Sequence, residues 1–211
     1  MQYIDWLLRA SMINRYFVVD DFYNDPDRLV EAALKAQRDA ASRGNYAGVM
    51  TKESFLSNIQ RDFFEQLLQQ KPLNASTELN GKIRFSKAGD PFAQYIHFDA
   101  GQTHWSGVVY LSKEHPKVDG TVFWKHLRTG LEEIPRTLES AHTAGFTTKE
   151  KVKEFLEIDG IDESLWEKTL AIPYKYNRLV LFRPWMFHSP GVNFGGTLES
   201  SRKVQTLFLG P

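Results

Sequence analysis

The sequence predicts a mainly β fold with helical support: a double-stranded β-helix, or jelly roll, flanked by N-terminal helices and interrupted by a helical insert. Two observations predict this fold class. Eight short segments between residues 83 and 209 have the pattern of strands, and most of them are bounded by Gly, Pro, Asp or Asn, which favour turns. Two earlier segments repeat apolar side chains at helical spacing. Short strands preceded by helices are typical of packed sheets that helices cover.

The first part of the chain, residues 1–80, is predicted to supply a strand and the supporting helices. The run Tyr16–Phe22 is rich in Phe and Val and indicates the strand. A helix follows, because Asp25 can cap its start and Pro26 suits the first helical position, where its missing N–H needs no partner. Gly44 is the expected end of this helix.

A second helix is predicted at Lys52–Gln70. Phenylalanine, isoleucine and leucine recur there every four residues, which places an apolar stripe along one face. Pro72 ends this helix, because proline cannot continue the backbone hydrogen bonding. Both helices are expected to pack on the outside of a sheet.

The jelly-roll core is predicted at residues 83–209, and the whole chain, residues 1–211, is expected to form one domain. A helical insert at residues 125–169 separates the early strands from the late ones. The turn signals place the strands at Ile83–Ser86, Gln94–Phe98, Trp105–Leu111, Thr121–Trp124, Leu170–Tyr174, Leu179–Phe182, Trp185–His188 and Lys203–Leu209.

Composition and charge limit the classes of function that are expected for this chain. The chain has 26 basic and 26 acidic residues, so its net charge favours neither nucleic acid nor an anionic membrane as a partner. No apolar run is long enough for a transmembrane helix, and the first residues lack the pattern of a secretory signal. The absence of cysteine leaves histidine and carboxylates as the available metal ligands. We therefore expect a cytoplasmic protein.

A candidate metal site begins in the segment Gln94–Phe98. Side chains two residues apart on a strand point the same way, so His97 and Asp99 are expected to face one side together. A further histidine from a late strand would complete a set of two histidines and one carboxylate. That set leaves three coordination positions open, which is the arrangement used by non-haem Fe(II) oxygenases.

His188 is the candidate for the third ligand. It ends a long apolar run and precedes the turn signal Ser189-Pro190-Gly191, which places it at the end of a late strand. The remaining histidines fall in predicted turns or in the insert, and they are His104, His115, His126 and His142.

In the order of these features the sequence resembles the Fe(II)/2-oxoglutarate-dependent dioxygenase superfamily, in its prolyl-hydroxylase-like branch, over roughly residues 83–209. The resemblance implies that iron is bound by His97, Asp99 and His188. It also implies that Tyr110, in a Tyr-Leu-Ser segment similar to a family motif, contacts the 2-oxoglutarate cosubstrate.

The resemblance further implies a basic residue on the last strand that pairs with the distal carboxylate of 2-oxoglutarate. Arg202 is the candidate, because the planar guanidinium matches a carboxylate through two parallel hydrogen bonds. Lys203 is the rival, but on a regular strand it would point to the opposite face. Val204 stands where the family often has a serine.

The chemistry implied by the resemblance is O2-dependent oxidation of a substrate coupled to conversion of 2-oxoglutarate into succinate and CO2. Asp99 favours hydroxylation over halogenation, since related halogenases replace this carboxylate by a small residue. The substrate would be an amino acid, a peptidyl residue or a small natural-product intermediate. Two alternatives stay open: a cupin-like metal enzyme that does not use 2-oxoglutarate, and a non-enzymatic binding protein built on a jelly roll.

Overall fold

The computed structural model describes residues 14–40, 48–69, 74–75, 78–92, 94–99 and 103–210. Within these ranges the strands are β1 (Tyr16–Val19), β2 (Arg38–Ala40), β3 (Val49–Thr51), β4 (Asn74–Ala75), β5 (Ile83–Ser86), β6 (Trp105–Tyr110), β7 (Asp119–His126), β8 (Trp166–Pro173), β9 (Leu179–Phe182), β10 (His188–Ser189) and β11 (Arg202–Gly210). The α-helices are α1 (Pro26–Lys35), α2 (Asn58–Leu68), α3 (Leu138–Thr143) and α4 (Lys149–Ile158).

These strands form two sheets. The larger sheet has the order β1-β9-β6-β11-β5-β3-β2, with β4 also paired to β11, and the smaller sheet has the order β10-β7-β8. Every strand pairing in the described ranges is antiparallel. The predicted fold class, a mainly β jelly roll with helical support, is confirmed.

Helices α1 and α2 cover one face of the larger sheet. Ala33 of α1 and Phe64 of α2 are fully buried there, as the predicted apolar stripes require. The strand side chains beneath them include Ile83, Phe85, Trp105, Val109, Leu181 and Leu207. The opposite face of this sheet packs against the smaller sheet, and the candidate site lies between the two sheets.

The first helix begins as predicted and ends earlier. The Asp25 carboxylate accepts from the Arg28 N–H at 3.1 Å, and Pro26 opens the helix. The helix stops at Lys35 because the Arg38 guanidinium donates to the helix-end carbonyls of Ala33, Leu34 and Ala36. Arg38 then starts β2, so the predicted extension to Gly44, which lies outside the described residues, is wrong.

The second helix is also shorter than predicted. Residues 49–51 form β3, and the helix starts at Asn58, where the Gln60 side chain accepts from the Ser57 N–H at 3.1 Å. The sequence expectation that Pro72 ends this helix lies outside the described residues. In the described part of the chain, no helix has the length and apolar character to span a bilayer.

The insert is helical only in its interior. Strand β7 continues to His126 and β8 begins at Trp166, so the predicted boundaries of 125 and 169 are too wide. Phe155 of α4 packs on Trp166 and Phe187, which places the insert on the outer face of the smaller sheet. Both ends of the predicted insert are in strands because they pair with each other, Lys125 with Glu167 and His126 with Trp166.

Candidate metal centre

The structure brings His97, Asp99 and His188 together, with one potential ligand atom of each within 4.8 Å of the others. The Asp99 carboxylate reaches both rings, at 3.8 Å from His97 Nε2 and 3.6 Å from His188 Nε2. Both imidazoles are buried, whereas the Asp99 side chain keeps 21% of its surface exposed. The three groups therefore form a largely buried cluster that opens on the Asp99 side.

Backbone hydrogen bonds position the first two ligands, although the predicted strand Gln94–Phe98 is absent. His97 forms only an isolated antiparallel β-bridge with His188, and the Asp99 N–H donates to Pro184 O at 2.8 Å. The Ile96 N–H donates to Gly160 O at 2.8 Å. Because these partners come from two separate segments, no regular ladder forms around His97 and Asp99.

His188 lies in the smaller sheet, where it stands opposite Phe123 of β7. The predicted strand Trp185–His188 is therefore wrong in its first three residues, since only His188–Ser189 pairs as a strand. Phe187 N and O instead bond to Glu132 O and Trp124 N. These bonds fix His188 at the edge of the sheet, next to His97.

The tautomers of both histidines follow from their backbone contacts. His188 Nδ1 lies 2.8 Å from Met186 O, and His97 Nδ1 lies 3.3 Å from Tyr95 O. A carbonyl oxygen can only accept a hydrogen bond, so each Nδ1 carries the proton. Nε2, the atom that has the lone pair in a neutral ring of this kind, then faces Asp99 in both residues, which is the arrangement that orients metal-binding imidazoles.

Burial keeps His97 in the form that binds metals. Desolvation is the largest cause that holds the pKa of His97 well below its usual value, and the neighbouring His188 and Arg84 lower this pKa further. A neutral imidazole is the form that ligates a metal ion.

The distances from Asp99 to the two histidines are compatible with one shared metal ion. Two ligand atoms about 2.1 Å from a shared metal are at most about 4.2 Å apart. Both distances from Asp99 to the histidine Nε2 atoms satisfy this limit. Two nitrogens and one oxygen, with no thiolate in the chain, form a donor set that suits a non-haem Fe(II) centre.

A cavity between the two sheets adjoins this cluster. Its apolar walls include Phe92, Val108, Phe182 and Phe208. Arg202, at the start of β11, also lines the cavity and is 3% exposed. The structure therefore places the predicted cosubstrate arginine in the same cavity as the three potential metal ligands.

Lys203 points away from this cavity. Its ammonium group donates to the carbonyl oxygens of Glu199 and Ser201. Arg202 instead donates to Gly120 O at 3.2 Å and Pro190 O at 2.7 Å. The alternation along β11 thus separates the two basic side chains, as strand geometry requires.

Tyr110 lies behind the cavity wall rather than in it. Its hydroxyl group bonds to Thr121 Oγ1 at 2.7 Å, and its ring stacks on Tyr174 at 4.5 Å. Thr121 is the residue of this pair that lines the cavity. In this structure Tyr110 can therefore orient Thr121, whereas the resemblance assigned it a contact with the cosubstrate.

Arg84 is a cavity residue that the sequence analysis missed. It lies on β5 within a run of four buried residues and is 5% exposed. The signal in the sequence was a charged side chain between two apolar residues, Ile83 and Phe85, of a predicted strand. Buried arginines are uncommon without a binding or pairing role.

His126 forms a second buried cluster at the base of the insert. Its ring Nε2 lies 3.2 Å from the Asp159 carboxylate, which also accepts from Arg128 at 2.7 Å. The sequence analysis placed His126 in the insert, but it is the last residue of β7. Its partners differ from those of His97 and His188, so it does not belong to the candidate metal centre.

A family model described as a family of unknown function, DUF6445, matches residues 9–204 of this chain. No curated protein matches the sequence. A solved prolyl-4-hydroxylase from Pseudomonas putida is similar with a TM-score of 0.47 and 12% identity, covering 99% of this chain and 97% of that chain. HygX from Streptomyces hygroscopicus, solved with iron bound, is similar with a TM-score of 0.40 and 12% identity, covering 93% of this chain and 82% of that chain.

Proposed function

The chain belongs to DUF6445, a family of unknown function, and we propose that it is an Fe(II)- and 2-oxoglutarate-dependent oxygenase. The observation that carries this proposal is the convergence of His97, Asp99 and His188 beside a cavity that also contains the buried Arg202. The first three residues supply a metal donor set, and the fourth supplies a cation for a dicarboxylate cosubstrate.

In this proposal His97, Asp99 and His188 hold the metal and leave three positions open for cosubstrate and O2. When bound, iron(II) would supply the redox chemistry that activates O2. The protein contributes ligands that are oriented in advance, because each histidine is fixed through Nδ1 by a backbone carbonyl. Asp99 fills the carboxylate position, and this favours hydroxylation over halogenation.

Arg202 would bind the distal carboxylate of 2-oxoglutarate. Two carbonyl oxygens hold one of its terminal nitrogens, whereas its buried Nε has no hydrogen-bond partner among the described residues. An unsatisfied buried donor costs about 1–3 kcal/mol, more when the group is charged. A carboxylate at this position would satisfy the donor and form a charge-assisted hydrogen bond.

The cavity walls would exclude water from the reacting groups. Phe92, Phe182 and Phe208 present apolar surface to the cavity, and Val204 does so at the position next to Arg202 on the same face of β11. A dry environment strengthens the electrostatic attraction between the guanidinium and a carboxylate.

Anaerobic titration of the purified chain tests the proposal. Addition of 2-oxoglutarate to the Fe(II)-loaded protein is expected to produce a metal-to-ligand charge-transfer band, and O2 should then yield succinate. Zn(II) serves as the matched control, because it can occupy the site without producing this band. Metal binding with no band would favour the cupin-like alternative, and no metal binding at all would favour the non-enzymatic one.

A further inference from the structure

The cavity beside the candidate metal centre contains two buried guanidinium groups. Arg84 and Arg202 are 5% and 3% exposed, and both line the same cavity as His97 and Asp99. Among the described lining residues, Asp99 is the only carboxylate. The proposed cosubstrate would use one of these guanidiniums, that of Arg202, so the second, that of Arg84, is available for a separate assignment by its position in the cavity.

The two arginines occupy separate positions on neighbouring strands. Arg84 of β5 stands opposite Val204, and Arg202 of β11 stands opposite Ser86. They are therefore diagonal neighbours on one face of the sheet, with Cα atoms about 7–8 Å apart. This separation allows each guanidinium to bind a different anionic group.

The surroundings of the two guanidiniums also differ. Arg202 is held by carbonyl oxygens of Gly120 and Pro190 and lies 5.7 Å from the Tyr174 ring. Arg84 lies on β5, which pairs with β11 on one side and β3 on the other, and it lines the cavity together with His97 and Asp99. Arg202 thus contacts the segments next to β7, whereas Arg84 lies on the neighbouring strand of the larger sheet.

We propose that the substrate oxidised at this site is a small molecule with a free carboxylate, and that Arg84 is the residue that binds this carboxylate. This inference rests on the proposed function. Arginine suits the role because its planar fork matches a carboxylate through two parallel hydrogen bonds. A free amino acid or a related small acid fits this description better than a peptidyl residue, whose main-chain carboxyl group is an amide.

Acetate is the probe for this site, and acetamide is its neutral control of nearly equal shape. The full chain is loaded with Mn(II), which is paramagnetic, and saturated with 2-oxoglutarate so that Arg202 is occupied. Relaxation of the methyl protons of each probe then reports its binding close to the metal. We expect acetate to be relaxed strongly and acetamide weakly.

Three substitutions test the assignment of the site. Arg84→Gln is expected to weaken acetate binding at least tenfold while changing the Kd of 2-oxoglutarate less than threefold. Arg202→Gln, the matched variant in the same cavity, is expected to raise the Kd of 2-oxoglutarate at least tenfold. Arg84→Lys keeps the charge but loses the planar guanidinium, so we expect it to weaken acetate binding three- to tenfold. If Arg84→Gln does not fold, Arg84→Lys is the variant that tests the assignment.

Three results would overturn the inference. These are equal relaxation of acetate and acetamide, acetate binding that is unchanged in both Arg84 variants, and a loss of 2-oxoglutarate affinity that is larger in Arg84→Gln than in Arg202→Gln. The proposed function fails separately, when the wild-type Fe(II) protein shows no charge-transfer band with 2-oxoglutarate. In that outcome the assignment of Arg84 fails with it.

Discussion

His97 and His188 are joined by two backbone hydrogen bonds, His97 N to His188 O at 3.0 Å and His188 N to His97 O at 2.8 Å. The two imidazoles that face Asp99 are thus held by their own main chains and not by side-chain contacts alone. Their ring centroids lie 4.5 Å apart. A site fixed by backbone hydrogen bonds needs little rearrangement to accept a metal ion.

Replacing one ligand should remove most of the metal affinity. We expect His97→Ala, Asp99→Ala and His188→Ala each to raise the Kd for Co(II) by more than about 100-fold, because even residues that only orient a ligand contribute about 10- to 100-fold. Visible absorption of Co(II) measures this affinity. His142→Ala, on the exposed side of α3, is the control. Retention of wild-type affinity by both His97→Ala and Asp99→Ala would falsify the site.

Arg202 and Lys203 provide a matched pair for testing the cosubstrate site. Arg202→Ala should raise the Kd of 2-oxoglutarate at least about tenfold, since a buried charge-assisted hydrogen bond contributes about 1.5–3 kcal/mol. Lys203→Ala should change this Kd little, because its ammonium group faces Glu199 O and Ser201 O. The charge-transfer titration measures both, and the reverse ranking would place the cosubstrate elsewhere.

Gly160 connects the insert to the segment that supplies two of the potential metal ligands. Its carbonyl oxygen accepts from Ile96 N, and a Cβ atom at Gly160 would lie only 2.5 Å from Ile96 O. Gly160→Ala should therefore displace the residue before His97 and weaken Co(II) binding about tenfold. This contact therefore predicts that the insert affects metal binding.

Gly196→Ala is the control for this substitution, because a Cβ atom there would meet no other atom within 4 Å. Its Co(II) affinity and thermal unfolding temperature should match those of the wild type. If Gly160→Ala also retains wild-type Co(II) affinity, the insert does not position His97, and its contribution would be limited to packing.

The ion pairs of Asp20 are expected to stabilise the folded state by an amount that depends on pH. Hydrogen bonds from Arg178 and Lys175 lower the pKa of Asp20 from 3.8 to about 2. A carboxylate with a lowered pKa stabilises the folded state above its unfolded pKa, and this contribution is lost as pH falls through the folded pKa. Asp20→Asn should therefore lower the unfolding temperature at pH 6, with a smaller difference at pH 2. A difference that is equal at both pH values would contradict this assignment.

Local sequence patterns determined much of the fold and the identity of the potential ligands. Short runs bounded by turn-forming residues marked strands such as Ile83–Ser86 and Leu179–Phe182 at their observed bounds. Asp25 and Pro26 marked the start of α1, because a helix cap depends only on adjacent residues. The separation of Arg202 from Lys203 also followed from strand alternation alone.

Features that depend on distant partners were decided only by the tertiary structure. The segment around His97 looked like a strand, but its hydrogen bonds go to Gly160 and Pro184, which no local pattern reveals. The end of α1 depends on Arg38 folding back onto carbonyl groups. The position of Arg84 beside His97 needs the pairing of β5 with β11. The sequence alone could thus name the potential metal ligands, whereas long-range hydrogen bonding decided how they are held and what surrounds them.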